Sequence, residues 1–239
     1  MERLDQLLVE RGLVESREKA RALILAGQVL VNGQKAGKAG HKVAEDSRVE
    51  LLEPPRYVGR GGLKLEAALQ RFGIDPVGKV CLDIGSSTGG FTDCLLQHGA
   101  KRVYAIDAGT GQLDWKLRND PRVVLHEQVN ARYLSRAEVP ETIHLAVCDV
   151  SFISVTMILP TVAPLLASDA EMVILVKPQF ELERQQVGKG GIVRDAALHQ
   201  QACRRVEEAV RHLGFQAEII PCPILGAEGN QEFLLYARH

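Results

Sequence analysis

No apolar run in the sequence approaches the roughly 20 residues that a membrane-spanning helix requires. The longest, such as Met172-Val173-Ile174-Leu175-Val176, stop far short of it, so no membrane partner is expected. The opening residues, Met1-Glu2-Arg3-Leu4-Asp5, carry charge where an export signal needs an apolar stretch, which makes the cytoplasm the expected location. Five cysteines include no Cys-x-x-Cys pair. Cys81, Cys94, Cys148 and Cys203 fall within apolar strand or helix patterns, so buried thiols are expected in place of disulfides or a metal site. A large charge of one sign is missing too, the net value being −1. Divided along the chain it is less even: residues 1–64 hold 12 Lys and Arg against 9 Asp and Glu, the remainder 17 against 21. A polyanion would meet the N-terminal end first, although solvated helix faces produce the same asymmetry.

What is present reads as two modules. With 239 residues the chain can bury a substantial core. Leu4, Leu7 and Leu8 share a helical face, Ser16 is an N-cap for a helix over 17–26, and Gly27 is its terminator. Val29-Leu30-Val31, Asn32-Gly33 and Gln34-Lys35-Ala36 form a hairpin, with a further strand at 49–52. Pro54-Pro55 closes this α+β module, expected over 1–55, and an Arg/Gly-rich linker occupies 56–62. From 63 to 239 strand and helix alternate, with strands expected at 80–84, 103–107, 123–126, 145–149, 172–177, 217–221 and 232–237. The last two are joined by a loop too short for a crossover helix. The expected fold is therefore α/β, a Rossmann-like seven-strand sheet with one reversed member.

The first expected strand of that sheet ends in Asp83-Ile84-Gly85-Ser86-Ser87-Thr88-Gly89-Gly90-Phe91, small residues that let a backbone approach a ligand. About twenty residues on, the second ends in Asp107, whose carboxylate can accept hydrogen bonds from both hydroxyls of a ribose. This spacing suits a dinucleotide oxidoreductase or an S-adenosylmethionine enzyme. An acidic residue beside the turn repels pyrophosphate and attracts a sulfonium and an α-amino group, which favours the methyl donor. Lys64, Asp149, Lys177 and Glu232 stand at or near expected strand ends, where the sheet would present them to a cofactor.

Several phrases carry resemblances. Ser-Arg-x-Lys-Ala-Arg followed by Gly-Gln-Val-x-Val-Asn-Gly resembles the RNA-binding domain of ribosomal protein S-four, the α-L motif. It implies that Ser16, Arg17, Lys19, Arg21, Asn32 and Lys35, with Arg3, meet RNA phosphates and 2′-hydroxyls. Residue by residue, a solvated charged face and a turn asparagine are the alternative. The order Lys, Asp, Lys, Glu resembles the tetrad of FtsJ-like RNA ribose 2′-O-methyltransferases. In that reading Lys177 is the base, Lys64 its electrostatic partner, Asp149 its orienting carboxylate and Glu232 a hydrogen-bond anchor. A lysine takes a hydroxyl proton only if its own pKa is lowered, and a shift from about 10.4 to about 7.5, costing roughly 4 kcal/mol, is one that a water-poor pocket and a like-charged neighbour can supply. Taken singly, each of the four reads equally as a surface ion-pair member.

Arg-Gly-Gly-Leu-Lys-Leu, Cys-Asp-Val-Ser-Phe-Ile-Ser, Lys-Pro-Gln-Phe-Glu, Val-Gly-Lys-Gly-Gly-Ile-Val-Arg-Asp and Gly-Asn-Gln-Glu-Phe extend the resemblance over nearly the whole chain, to the TlyA family. It implies ribosomal RNA cytidine 2′-O-methylation, S-adenosylmethionine as cofactor, ribosomal RNA or a ribosomal subunit as partner, and a cofactor site at Asp83, Gly85 to Phe91, Asp107, Asn130 and Asp149. The linker departs from the family in carrying Tyr57 where Trp is usual. Arg60, with Lys189 and Arg194 in a glycine-rich segment at 187–195, would add RNA contacts, the segment acting as a basic lid or as a passive loop. Two other function classes stay open: a non-catalytic RNA-binding assembly factor, which leaves the two lysines unexplained, and a hemolysin, for which an amphipathic insertion segment is missing.

Overall fold

A computed structural model describes residues 1–53, 55–226 and 229–239, and the chain divides into two compact units, Met1–Arg56 and Tyr57–His239. Pro54, expected to close the first module, lies outside the described residues, as do Ala227 and Glu228 of the loop before the last strand.

The first unit runs β1 (Glu2–Arg3), α1 (Leu4–Glu10), α2 (Arg17–Leu25), β2 (Val29–Val31), β3 (Gln34–Lys35), β4 (Lys42–Val43) and β5 (Val49–Leu51). Ser16 caps α2, its Oγ accepting the Lys19 N–H at 3.2 Å, an arrangement worth about 1 kcal/mol. Asn32 and Gly33 both take positive φ, 50° and 80°, as the tight turn between β2 and β3 demands. The antiparallel pairing of β1 with β4 was not expected, since two-residue strands leave no periodicity to read. Leu4, Leu7, Leu8, Ala20, Ile24 and Val29 make the core.

Asp5 shares their burial at 0 % exposure. Its carboxylate accepts from Arg3 Nε at 2.9 Å, Arg17 at 3.1 Å and Arg21 at 3.2 Å. The Arg3 hydrogen bond, aided by the other two guanidiniums and opposed by desolvation, holds that carboxyl well below the usual range.

The second unit contains α3 (Gly61–Phe72), β6 (Val80–Ile84), α4 (Gly90–Gln97), β7 (Arg102–Ile106), α5 (Trp115–Arg118), β8 (Val123–His126), β9 (Ile143–Cys148), α6 (Leu159–Val162), β10 (Leu166–Val176), α7 (Pro178–Glu181), α8 (Ala196–His212), β11 (Gln216–Pro221) and β12 (Phe233–Arg238). The sheet order is β11-β12-β10-β9-β6-β7-β8, with β12 antiparallel to both neighbours and β10-β9-β6-β7-β8 parallel throughout. Period-2 alternation supplies two cores. Val80, Leu82 and Ile84 face α6 and the Val206/Val210 side of α8, while Cys81, Val103 and Leu145 face α3 and α4. Each fully buried leucine or isoleucine contributes about 1.5–3 kcal/mol of transfer free energy. All five cysteines are buried thiols.

Since the folded-state carboxyl of Asp5 is depressed, its contribution is present above the unfolded pKa of about 4 and is lost as pH falls below it. Amide protection of α1 and α2 is expected to be greater in the wild type than in Asp5→Asn at pH 7, and the difference to begin narrowing, without closing, as pH falls towards 3.

Candidate active site and cofactor cleft

The turn after β6 is shaped by contacts that exclude side chains. Gly85 has φ +81°, and a Cβ there would lie 2.4 Å from the Asp149 carbonyl oxygen. Its N–H and that of Ser86 both donate to the Ile106 carbonyl, fastening the turn to β7. Ser87, at φ +47°, donates its N–H to Asp107 Oδ2 at 2.7 Å, and the Gly109 N–H donates to Oδ1 at 2.7 Å. Gly90 is equally confined: a Cβ would stand 2.9 Å from the Gly62 nitrogen and 3.2 Å from the Gly59 oxygen. Residues 57–62 thus lie against this turn, with Tyr57 buried and the Val58 N–H donated to Asp93 at 2.8 Å.

Two cavities open beside the turn and share Gly85, Ser87, Asp149 and Ser151. The larger, about 400 Å³, has apolar walls of Ile106, Val129, Ile153 and Ile158 and polar groups from Asp107, Gln112 and Asn130. The smaller, about 230 Å³, is lined by Gly61, Ser86, Thr88, Phe91 and Lys177. Ser86 Oγ is buried and has no hydrogen-bond partner among the described residues, so it is available to a polar ligand. A carboxylate beside apolar walls, next to a small polar chamber with a free hydroxyl, is a donor and acceptor set that fits an adenosyl group carrying an amino acid.

The structure brings the four charged residues into two ion pairs. Lys64, in the first turn of α3, meets Glu232 Oε2 at 2.5 Å, both side chains being nearly buried. Lys177, at the end of β10, meets Asp149 Oδ1 at 2.5 Å and donates a hydrogen bond to Ser151 Oγ at 2.9 Å. The expectation set the two lysines against each other; here each has its own carboxylate. Lys177 and Asp149 line the smaller cavity, and a Cβ on Gly61 would lie 3.7 Å from Asp149 Oδ2.

Other expected residues fall differently. Asp83 lines neither cavity, because strand alternation turns it to the α3 and α4 face. It is fully buried there, accepting the Thr92 hydroxyl at 2.6 Å through Oδ2, while Oδ1 has no partner among the described residues. Burial, reinforced by Asp149 and Asp107 and opposed by Thr92, pushes its carboxyl up to about 7. Gly89, at φ +97°, serves as the N-cap of α4 and lines neither cavity. Asn130 lines the larger cavity, with its Oδ1 accepting the Arg132 N–H.

Among the residues expected to meet RNA, Arg3, Arg17 and Arg21 converge on Asp5, and Asn32 Oδ1 accepts the Arg48 N–H at 2.9 Å. Lys19 stands 3.5 Å from Glu15, and Lys35 is exposed on β3. In the second unit Arg60 donates to the Leu225 carbonyl, and Lys189 and Arg194 are exposed. The segment carrying them is tied down by buried Asn230, which accepts from the Val193 N–H and donates to the Gly191 carbonyl.

Three residues at the site escaped the sequence reading. Ser151 binds Lys177 and borders both cavities. Phe152 is 92 % exposed at φ +65°, a conformation costing about 1–3 kcal/mol for a bulky residue, with its ring 5.3 Å from that of Phe180. Glu181, buried, accepts the Ser154 hydroxyl at 2.5 Å and the Val155 N–H at 2.8 Å. Their only signal was the pair of phrases Ser-Phe-Ile-Ser and Lys-Pro-Gln-Phe-Glu, which do not show that the second grips the first.

Comparison with known proteins matches residues 57–239 to FtsJ-like methyltransferases and residues 2–49 to the S4 domain. The chain is 46 % identical over 239 residues to Hemolysin A of Brachyspira hyodysenteriae, covering 98 % of each. It is 42 % identical over 239 residues to the 16S/23S rRNA (cytidine-2'-O)-methyltransferase TlyA of Mycobacterium tuberculosis, covering 99 % of this chain and 89 % of that one. A solved structure from Streptococcus thermophilus, provisionally named a hemolysin, superimposes with a TM-score of 0.76 at 44 % identity, covering 99 % of this chain and 88 % of that one.

Asp83 yields a pH dependence opposite in sign to that of Asp5. Its carboxyl is raised, so the native state binds more protons than the unfolded chain between about pH 4 and 7, and stability falls as pH rises through that window. Wild-type Tm is expected to decline over this range relative to Asp83→Asn, by the equivalent of on the order of 2–4 kcal/mol, in a pH series of thermal melts.

Proposed function

Because the chain belongs to the TlyA family of FtsJ-like methyltransferases, with an S4 domain ahead of the catalytic unit, we propose that it methylates the ribose 2′-hydroxyl of a cytidine in ribosomal RNA. The observation that carries the reading is the Lys177–Asp149 pair, which faces the smaller cavity from the ends of β10 and β9. S-adenosylmethionine, when bound, supplies a methyl group made electrophilic by its sulfonium.

The chain's own groups do the rest. Asp107 would hold the cofactor's ribose hydroxyls, the apolar walls Ile106, Val129 and Ile158 its adenine, and Ser86 with the turn at 85–90 its amino-acid end. The Lys177 Nζ accepts the proton of the target 2′-hydroxyl as its oxygen attacks the methyl carbon. The O–H bond breaks and an N–H bond forms on Lys177, which leaves the oxygen's electron pair free for the methyl group that the cofactor would supply. Asp149 holds the ammonium that results. Lys64 and Glu232, as a nearly buried pair, fix the start of α3 against the start of β12. Phe152, next in the chain to Ser151 and with its ring against Phe180, offers an exposed face on which an unstacked base can lie. The arginines around Asp5 and the exposed Lys35 give the S4 domain its phosphate contacts.

The hemolysin name carried by relatives finds less support. Among the described residues no helix is long and apolar enough to cross a membrane, and the paired cavities and lysine are left without a role.

Incubation with labelled S-adenosylmethionine and ribosomal subunits from an enzyme-deficient strain is expected to place label in an alkali-resistant dinucleotide. Lys177→Ala is expected to lower kcat by about 10²–10⁴ while RNA affinity stays within about twofold. Label in a base would sink the mechanism, and cofactor binding without transfer would put a non-catalytic RNA-binding factor in its place.

A further inference from the structure

We propose that Ser151 is a positioning residue that aims the amine of Lys177 at the hydroxyl it deprotonates. The inference rests on the methyl-transfer reading and extends it to an uncharged residue.

Lys177 has two partners of different kinds. Asp149 Oδ1 lies 2.5 Å from the amine, and the attraction between the two opposite charges depends mainly on distance. Ser151 Oγ accepts an aligned hydrogen bond at 2.9 Å. Lysine ends in a compact amine on a stem of four rotatable carbons, and a nearby charge alone leaves it free to turn. Proton transfer needs the nitrogen lone pair to face the incoming proton. One N–H committed to Ser151 fixes a corner of the nitrogen tetrahedron and therefore restricts where the lone pair points.

For that to work Ser151 must itself be immobile. It precedes Phe152, a non-glycine residue held at φ +65°, a conformation that persists only where the surroundings impose it. What imposes it lies three residues on, where Ser154 and Val155 both donate to buried Glu181. Arg205 in turn donates to the Glu181 carbonyl at 2.7 Å, fixing the end of α7 to α8. The short α7 separates Lys177 from Glu181, so the two flanks of one helix hold the two ends of one loop: Lys177 takes Ser151 and Glu181 takes Ser154. Ser151 also borders both cavities, where donor and acceptor would meet.

Ser151→Ala and Ser151→Thr are to be compared with the wild type in steady-state methyl transfer. Expected for Ser151→Ala is a fall in kcat of about 10–100-fold with an altered pH profile, while KM for RNA and Kd for S-adenosylmethionine stay within about threefold. Ser151→Thr, which keeps the hydroxyl, should recover most of the loss. A second measurement needs no turnover: in protein labelled with 15N-lysine, the Lys177 side-chain amine signal should be sharp in the wild type and in Ser151→Thr, and exchange-broadened in Ser151→Ala. The inference is overturned if Ser151→Ala keeps wild-type kcat and pH profile. A signal equally sharp in all three proteins overturns it as well, as does a loss shared by kcat, cofactor affinity and Tm that threonine does not restore. Absence of transfer by the wild type would instead overturn the parent reading, leaving the nuclear magnetic resonance comparison to decide this one.

Discussion

No side chain fits between the end of β6 and the end of β9, and the catalytic unit is arranged around that exclusion. Gly85 sits against the Asp149 carbonyl so closely that one added carbon would overlap it. The Asp149 N–H meanwhile donates to the Ile84 carbonyl at 2.9 Å, extending the ladder by one step past β9. Here the chain leaves β6 towards β7 on one side and enters β9 on the other, and the crevice at such a reversal is where open α/β sheets bind ligands. The same closeness sends Asp149 towards Lys177 on the neighbouring strand and leaves the cleft open on the Asp107 side. The cavity beside Asp107 and the one that holds the Lys177–Asp149 pair thereby adjoin across one backbone contact.

Much of this was legible in the sequence, for reasons that are local. The strands of the large sheet begin and end within a few residues of their apolar runs, except β10, which starts at Leu166 and carries polar residues over its first half. The glycine turn, the reversed last strand, the Ser16 cap and the Asn32-Gly33 turn all follow from chemistry within a few positions of one another. What was illegible depends on which face a residue takes or on contacts between distant segments. Both faces of the parallel sheet are covered, so alternation separates Asp83 from Ile84 without telling which of the two faces a cavity. The partition of two lysines between two carboxylates is likewise a tertiary fact, Lys64 and Glu232 being 168 positions apart. Asp5 offered no sign that three arginines would close over it.

Loops at the catalytic end of the sheet are held by buried polar side chains, each with two hydrogen bonds to a loop. Glu181 accepts two donors from the loop after β9, and the Asn230 amide both accepts from and donates to the segment at 191–193. An unmet buried polar group costs about 1–3 kcal/mol, so each anchor favours one loop conformation over its alternatives. Asn230 is the more selective of the two, since aspartate there would set a second acceptor against the Gly191 carbonyl.

The position of β12 bears on how the molecule is made. It lies between β10 and β11, both earlier in the chain, and pairs with each along its length. During vectorial synthesis β10 therefore emerges with an open flank, and its run Met172 to Val176, buried in the finished sheet, has no pairing partner on that side for some sixty residues of further growth. Glu232, at the threshold of β12, arrives with the strand that covers this flank. Closure of the hazardous edge and completion of the Lys64–Glu232 pair are thus one event in the life of the nascent chain, and a polypeptide halted before it would expose a sticky strand and leave Lys64 without that carboxylate.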